Sequence, residues 1–211
     1  MGHTEEYGHA ACEALSPRQE KTWECRKHSK KNLGKVSMDE TIIGFLDETA
    51  PQTTANTVRL WSFSKPEIIK DTSKYRANTF GFYAINGNSL VNFQDHSKKE
   101  NVTSFITEIR DKNSEKEILI ILDNFRSHHS GIVLKTAELL NIKLIFLPPY
   151  SPDLNPIEFI WKSVKRAVSI ASIDSEEKLK DTIKKSFLEL SGKLTFAKRW
   201  AEKFLNKSIV M

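Results

Sequence analysis

The sequence contains little cysteine and no long apolar run. Only two of its 211 residues are cysteine, so a disulfide scaffold is excluded and a reducing, intracellular compartment is expected. No apolar stretch approaches the roughly 20 residues that a membrane span needs. The first residues, MGHTEEYGHAACEAL, have neither the basic start nor the long apolar stretch of a secretory signal. These absences predict a cytoplasmic protein with no membrane segment.

The sequence does contain enough apolar residues for a core, and it has a basic C-terminal end. Hydrophobic residues make up 39% and charged residues 28%, with a formal net charge of +5. This composition is typical of globular chains. Positions 1–161 hold 20 Lys and Arg against 21 Asp and Glu, whereas positions 162–211 hold 12 against 6. A basic end favours contact with nucleic acid, although solvated helices would account for the same charge.

Hydrophobic patterns predict alternating strands and helices after position 40. Strands are predicted at 41–46, 58–63, 79–85, 90–93, 117–122 and 142–147, and helices at 100–110, 132–140, 156–170, 174–190 and 193–204. The Asn86-Gly87 turn favours an antiparallel hairpin, and the later strand–helix–strand order favours parallel pairing. The prediction is an α/β fold with a mixed sheet flanked by helices. An N-terminal arm (1–40), a main domain (41–170) and a basic helical C-terminal extension (171–211) are expected.

Acidic residues stand at three positions that such a fold would bring to one edge. Asp47 follows the first predicted strand, Asp123 follows the most continuous apolar strand, and Glu158 lies in the first turn of a helix. Sites in open α/β sheets form at the carboxyl ends of strands. Structural explanations remain open, since Asp often begins a turn and Asn155 to Glu158 resembles a capping box with Pro156 at the first helical position.

Three converging carboxylates would repel one another unless a cation lay between them. Hard oxygen ligands suit Mg²⁺ or Mn²⁺, and two such ions about 4 Å apart serve phosphodiester cleavage. Basic residues follow Glu158 within two helical turns, where a DNA backbone would pass; they are Lys162, Lys165 and Arg166. The residues alone therefore predict a two-metal phosphodiester site beside a DNA contact.

Three segments resemble the DDE transposases, in particular the mariner-type enzymes and their prokaryotic insertion-sequence relatives. They are Leu46-Asp-Glu-Thr49, then Ile121-Leu-Asp-Asn124 with His128 five residues after the aspartate, and then FLPPYSPDLNPIEFIWKSVKR, which contains Glu158. Thirty-four residues lie between Asp123 and Glu158, as in much of that group. The similarity runs from about position 41 to position 166.

The resemblance implies a ribonuclease-H-like fold in which Asp47, Asp123 and Glu158 are the catalytic, metal-binding triad. It further implies that two Mg²⁺ or Mn²⁺ ions serve hydrolysis at the ends of a mobile element and strand transfer into target DNA. Asn124 and His128 would orient the surrounding network or contact DNA.

The resemblance also implies partners. These are double-stranded DNA and a second copy of the chain, in the nucleoid of a prokaryotic host. Full-length relatives carry helix-turn-helix units before the catalytic domain, and positions 1–40 do not match a complete pair of them. A separate helix-turn-helix polypeptide is therefore expected.

Two alternatives to this function stay open, together with one further site. A nuclease on the same fold would cleave without strand transfer, and a truncated or split transposase would bind DNA or a partner without turnover. In the arm, His9, Cys12, Cys25 and His28 form two close pairs with spacing that suits zinc. The order of the ligands is unusual for zinc, and the favoured alternative is that these residues are scattered in a loose arm that binds no metal.

Overall fold

The computed structural model describes residues 37–54, 63, 73–113, 116–148 and 154–205. The strands in this part are β1 (Thr41–Thr49), β2 (Thr79–Ala84), β3 (Leu90–Phe93), β4 (Glu117–Leu122) and β5 (Ile142–Phe146). The α-helices are α1 (Lys99–Lys112), α2 (Gly131–Leu139), α3 (Ile157–Ile170), α4 (Glu176–Ser191) and α5 (Lys198–Phe204), and 3₁₀ helices span Arg126–His129 and Leu194–Phe196. The predicted strand at 58–63, except for Phe63, lies outside the described residues, and so do the candidate zinc ligands.

The strands form one mixed sheet in the order β3-β2-β1-β4-β5. The β1–β2 and β2–β3 pairs are antiparallel, and the β1–β4 and β4–β5 pairs are parallel. The predicted mixed sheet is therefore confirmed. Within the described residues no helix is long and apolar enough to cross a bilayer.

The hairpin turn is tied to the beginning of β1 by one amide side chain. Asn86 Oδ1 accepts a hydrogen bond from the Ile43 amide at 2.8 Å. Its Nδ2 donates to the main-chain oxygens of Met38 at 2.7 Å and Thr41 at 2.8 Å. Because all three bonds satisfy main-chain groups of another segment, Asn86 fixes the position of the β2–β3 hairpin relative to β1.

Alternate residues of the strands face two different helical layers. In β1, Ile43 and Phe45 belong to the core cluster that contains residues of α3, α4 and α5. Ile42 and Leu46 belong to the cluster with residues of α1 and α2. This alternation follows from the two-residue period of a strand. It assigns odd-numbered β1 positions to the α3 face and even-numbered positions to the α2 face.

Helices on both sides of position 170 bury residues in the same core. Trp161 of α3 is fully buried, and its ring centroid lies 4.9 Å from that of Phe187 in α4. Trp200 of α5 contacts Phe45 of β1 edge to face, with 4.8 Å between centroids. The C-terminal helices thus complete the core of the sheet, and the domain boundary at 170 stays a prediction.

The beginning of α3 differs from the predicted capping box. Pro156 is the N-cap residue, and it has helical dihedral angles, φ −58° and ψ −25°. The Glu158 amide donates to the main-chain oxygen of Asn155 at 3.1 Å, and no side chain caps the helix. The capping-box prediction is therefore wrong, because the main-chain bond occupies the amide that a cap would satisfy.

Candidate active site

Two of the predicted acids lie at neighbouring strand ends. β1 and β4 run parallel, with Leu46 paired to Leu122, so Asp47 and Asp123 follow that pair on adjacent strands. Asp47 is still inside β1, opposite Gly81 of β2. Asp47 continues the odd-numbered positions of β1 on the α3 face, and Asp123 follows Leu119 and Ile121 of β4, which belong to the same core cluster. Glu158 stands in the first turn of α3, so the three acids belong to the same layer.

Asp47 is the buried member of this group, with 9% of its surface exposed. Burial raises its pKa well above the usual value, and the negative charges of Glu158, Glu48 and Asp123 raise it further. Coulombic interactions of this kind require the carboxylates to be near one another. Asp123 and Glu158 are therefore near enough to Asp47 to act on its charge, and the triad itself stays a prediction.

A buried histidine connects the two layers at this edge. His128 has no exposed side-chain surface; its Nδ1 lies 3.0 Å from Asp123 Oδ1 and its Nε2 lies 3.0 Å from Glu48 Oε1. Carboxylates only accept hydrogen bonds, so both ring nitrogens donate and the ring is an imidazolium. Burial opposes this charge, but the hydrogen bonds and charges of Asp123 and Glu48 raise the pKa of His128 to about 10.

The same imidazolium acts on Asp123. Burial alone would raise the pKa of Asp123, but the hydrogen bond and charge of His128 lower it below the usual value. The next residue, Asn124, accepts a hydrogen bond from His129 Nε2 through its Oδ1. His129 stacks on Phe146 of β5, with 4.0 Å between ring centroids. The loop after β4 is therefore held in place by two histidines.

Sequence reasoning missed Glu48, His129 and Phe146 as members of this network. Glu48 is adjacent to Asp47 but faces the opposite side of β1, where only 11% of its side chain is exposed. No local pattern reveals its partner, since Glu48 and His128 are 80 residues apart in the sequence. The feature of the sequence that could have indicated Glu48 is the pair of adjacent acids, Asp47 and Glu48, at the end of a predicted strand.

The predicted DNA-binding residues lie on the outer side of α3. Lys162 and Arg166 are exposed and Lys165 is partly exposed, whereas Trp161, Val164 and Val168 are buried on the other side of the helix. None of the three basic side chains forms an ion pair with another described residue. Their charge is therefore free to meet phosphate groups.

The donor chemistry of the site fits a divalent cation. Asp47, Asp123 and Glu158 offer hard carboxylate oxygens, and the repulsion on buried Asp47 is what a cation would relieve. In the part of the chain that the structure describes, no three His, Cys, Asp or Glu side chains already form a closed metal-binding group. Ion binding would therefore require these carboxylates to come closer together than they are in this structure.

We expect His128→Gln to lower the free energy of unfolding by about 2–3 kcal/mol, because Glu48 loses its charged donor. The folded pKa of about 10 lies above the ordinary 6.5. The stabilisation is thus fully present below pH 6.5 and is lost as the pH rises toward 10. Urea unfolding of the wild type and the variant at several pH values measures this difference. His96→Gln is the control, and a difference that does not change with pH would contradict the assignment.

Comparison with known proteins agrees with this geometry. A family model described as DDE superfamily endonuclease matches residues 43–180. A search of curated proteins gave no match. The solved mariner Mos1 paired-end complex with Mg aligns with a TM-score of 0.59 and 19% identity, covering 97% of this chain and 68% of that chain. The Mos1 transposase catalytic domain with Raltegravir and Mg aligns with a TM-score of 0.55 and 17% identity, covering 90% of this chain and 98% of that chain.

At these identities the structural likeness establishes the fold, so the ribonuclease-H-like architecture predicted from the sequence is confirmed. The family match covers more than half of the chain. The chain therefore belongs to the DDE superfamily of endonucleases.

Proposed function

We propose that the chain is a metal-dependent DNA endonuclease of the transposase type, with Asp47, Asp123 and Glu158 as its catalytic, metal-binding residues. The observation that carries this proposal is the buried carboxylate of Asp47, whose charge is disfavoured by burial and by three neighbouring carboxylates. A cation at this position would relieve that repulsion. Mos1 structures that share the fold were solved with Mg and with Mn, which supports Mg²⁺ or Mn²⁺ as the ion.

Each residue of the site would have a separate role. Asp47, inside β1, would hold the two ions together with Asp123 and Glu158. Bound ions of this kind supply Lewis-acid activation of a water and of a phosphoryl oxygen. His128 would position Asp123 through its Nδ1 hydrogen bond, and Asn124 would hold the loop through His129.

The DNA would lie along the outer side of α3. There, Lys162, Lys165 and Arg166 would neutralise phosphate charge next to Glu158. The substrate would be double-stranded DNA at the ends of a mobile element, hydrolysed at one phosphodiester, and the freed 3′-hydroxyl would then be joined to target DNA. Mos1 has been solved with a transposon end and as a strand transfer complex, which supports this order of events.

Assembly and location follow from the same proposal. Two element ends would be held by two copies of the chain, and a separate helix-turn-helix polypeptide would recognise the end sequence. The complex would act on DNA in the nucleoid of a prokaryotic cell. Mos1 is described as a paired-end complex, which supports the pairing of ends.

The test uses the purified chain and a duplex that carries the inverted repeat flanking its gene. We expect nicking with Mg²⁺ or Mn²⁺ and none with EDTA, with activity restored when Mg²⁺ is added back. Joining of the nicked strand to a second, labelled duplex distinguishes a transposase from a nuclease. Nicking that continues unchanged in EDTA would overturn the metal-dependent mechanism.

A remnant that binds DNA without turnover is the second candidate. Binding of the repeat duplex without nicking, both alone and with a helix-turn-helix polypeptide encoded beside it, would favour this candidate over the first.

A further inference from the structure

Two phenylalanine side chains lie exposed directly beside the proposed catalytic acids. Phe125 follows Asp123 by two residues and is 49% exposed, and Phe159 follows Glu158 directly and is 50% exposed. Other phenylalanines of the sheet and helices, such as Phe80, Phe105 and Phe187, are fully buried. Phe63 is also exposed, but its neighbours in the sequence lie outside the described residues. Phenylalanine rings are more often buried than exposed, and these two are exposed next to charged groups, where a ligand could cover them.

On α3, the exposed ring belongs to a stripe that also carries positive charge. Phe159, Lys162 and Arg166 follow one another at spacings of three and four residues, and all three are exposed. Residues at these spacings lie on one side of a helix. The stripe begins with Phe159, which follows the acid Glu158, and continues with two cations. A nucleobase could therefore contact the ring while the neighbouring phosphate groups contact the cations.

The loop after β4 repeats this combination on the other side of the site. Phe125 is followed by the exposed Arg126. The Phe125 ring meets His128 edge to face, with 5.8 Å between centroids and 71° between planes. Since His128 is bonded to Asp123, the ring is held at a fixed place relative to the acid. Each exposed acid is therefore followed in the sequence by an exposed aromatic ring and an exposed cation within four residues.

We propose that Phe125 and Phe159 stack on unpaired nucleobases beside the cleaved phosphodiester, so that the substrate is DNA whose strands are locally separated at the site. This inference rests on the proposed function and specifies its substrate. A paired duplex shows only base edges and the backbone to a protein, and the faces of its bases are covered by neighbouring bases. Aromatic side chains are useful to a DNA-binding site when bases are unstacked, because every base then offers a face.

The test measures stacking by fluorescence, without turnover. The probe is a single-stranded oligodeoxynucleotide of mixed sequence with 2-aminopurine at internal positions, compared with the blunt duplex of the same sequence, both in EDTA. We expect the wild-type chain to quench 2-aminopurine in the single strand and to leave it unchanged in the duplex. Phe125→Ala and Phe159→Ala should each weaken single-strand binding about tenfold and change duplex binding less than twofold.

The control variants separate stacking from general damage. Leu139→Ala removes a side chain that is more exposed than either ring and lies away from the acids at the end of α2, and it should bind as the wild type does. Phe125→Trp and Phe159→Trp should restore both affinity and quenching, which a merely structural role would not require. Equal losses on single strand and duplex, or no loss on the single strand, would overturn the proposal.

The result is independent of the nicking assay. If the chain nicks the repeat duplex but shows no quenching, the proposed function stands and the assignment of Phe125 and Phe159 as stacking residues is wrong. A chain that quenches through Phe125 and Phe159 but never nicks would lose the endonuclease function, and the rings would then serve DNA binding alone. A pre-melted cleavage site that is cut faster than the paired duplex by the wild type, and at the duplex rate by the alanine variants, would support both.

Discussion

Asp47→Asn is expected to abolish DNA cleavage and, at the same time, to make the folded chain more stable. Loss of a shared metal ligand should reduce nicking at least about 1,000-fold. The same change removes a buried charge that burial and the charges of Glu158, Glu48 and Asp123 disfavour. At neutral pH we therefore expect a gain on the order of 1 kcal/mol, or about 2–4 °C in Tm. Thermal unfolding without metal and nicking with Mg²⁺ measure the two effects.

Asp123→Asn is the matched variant, with the opposite effect on stability. It should lose cleavage to a similar degree while it keeps most DNA binding. It also removes the carboxylate that accepts from the His128 imidazolium, a contact that lowers the pKa of Asp123, so its Tm should fall. Mg²⁺ should raise the Tm of the wild type but of neither variant. Nicking at the wild-type rate by Asp123→Asn, or a lower Tm for Asp47→Asn, would contradict the site.

Gly81→Ala is expected to cost about 2–3 kcal/mol of stability and to reduce cleavage as well. A Cβ at this position would lie 2.4 Å from Trp161 Cζ2 and 3.0 Å from Phe187 Cε2. The indole is fully buried and packs against the tilted ring of Phe187, so it has little room to shift. The strain would move α3, which carries Glu158, away from Asp47, the residue opposite Gly81. Urea unfolding and nicking per folded molecule measure both losses.

Two other glycines provide the comparison. At Gly44, a Cβ would lie 2.3 Å from Phe82 Cε2, on the α2 face of the sheet. Gly44→Ala should therefore be destabilising to a similar degree while nicking per folded molecule stays closer to the wild type. Gly131 has nothing within 4 Å of an added Cβ, and Gly131→Ala should stay within about 0.5 kcal/mol of the wild type. Equal cleavage by the Gly81 and Gly44 variants would show that α3 does not move.

The helices and strands could be predicted because the spacing of their apolar residues follows which face of each element is buried. The apolar positions expected in the helix at 100–110 are Val102, Phe105, Ile106 and Ile109, and all of them are buried in α1. The residues at which strands and helices begin and end were less predictable. β1 continues through Asp47 and Glu48 to Thr49 because β2 pairs with these polar residues. The predicted helix at 193–204 begins as a 3₁₀ turn at Leu194–Phe196, a change that apolar spacing alone does not reveal.

The candidate site could be predicted as far as strand ends determine it. Asp47 and Asp123 were expected together because parallel strands end at one edge, and the charge coupling on Asp47 agrees. The contact between Glu48 and His128, which stabilises this edge of the sheet, could not be predicted. It depends on the tertiary arrangement of β1 and the loop after β4. Which residues bind metal and DNA stays a prediction until the variants above are measured.

The sheet order also has a consequence for folding kinetics. The β2–β3 hairpin joins neighbouring segments, and β1 meets β2 across 30 to 40 residues, as in the pairs Thr49–Thr79 and Gly44–Ala84. In contrast, β1 meets β4 across 76 residues, with Thr41 paired to Glu117. Closure of so long a loop is slow and comes late. A state that has formed β1, β2 and β3 but not β4 would thus contain Asp47 without Asp123 or Glu158, and could not bind a cation well. Mg²⁺ should then slow unfolding of the complete chain and leave its folding rate nearly unchanged.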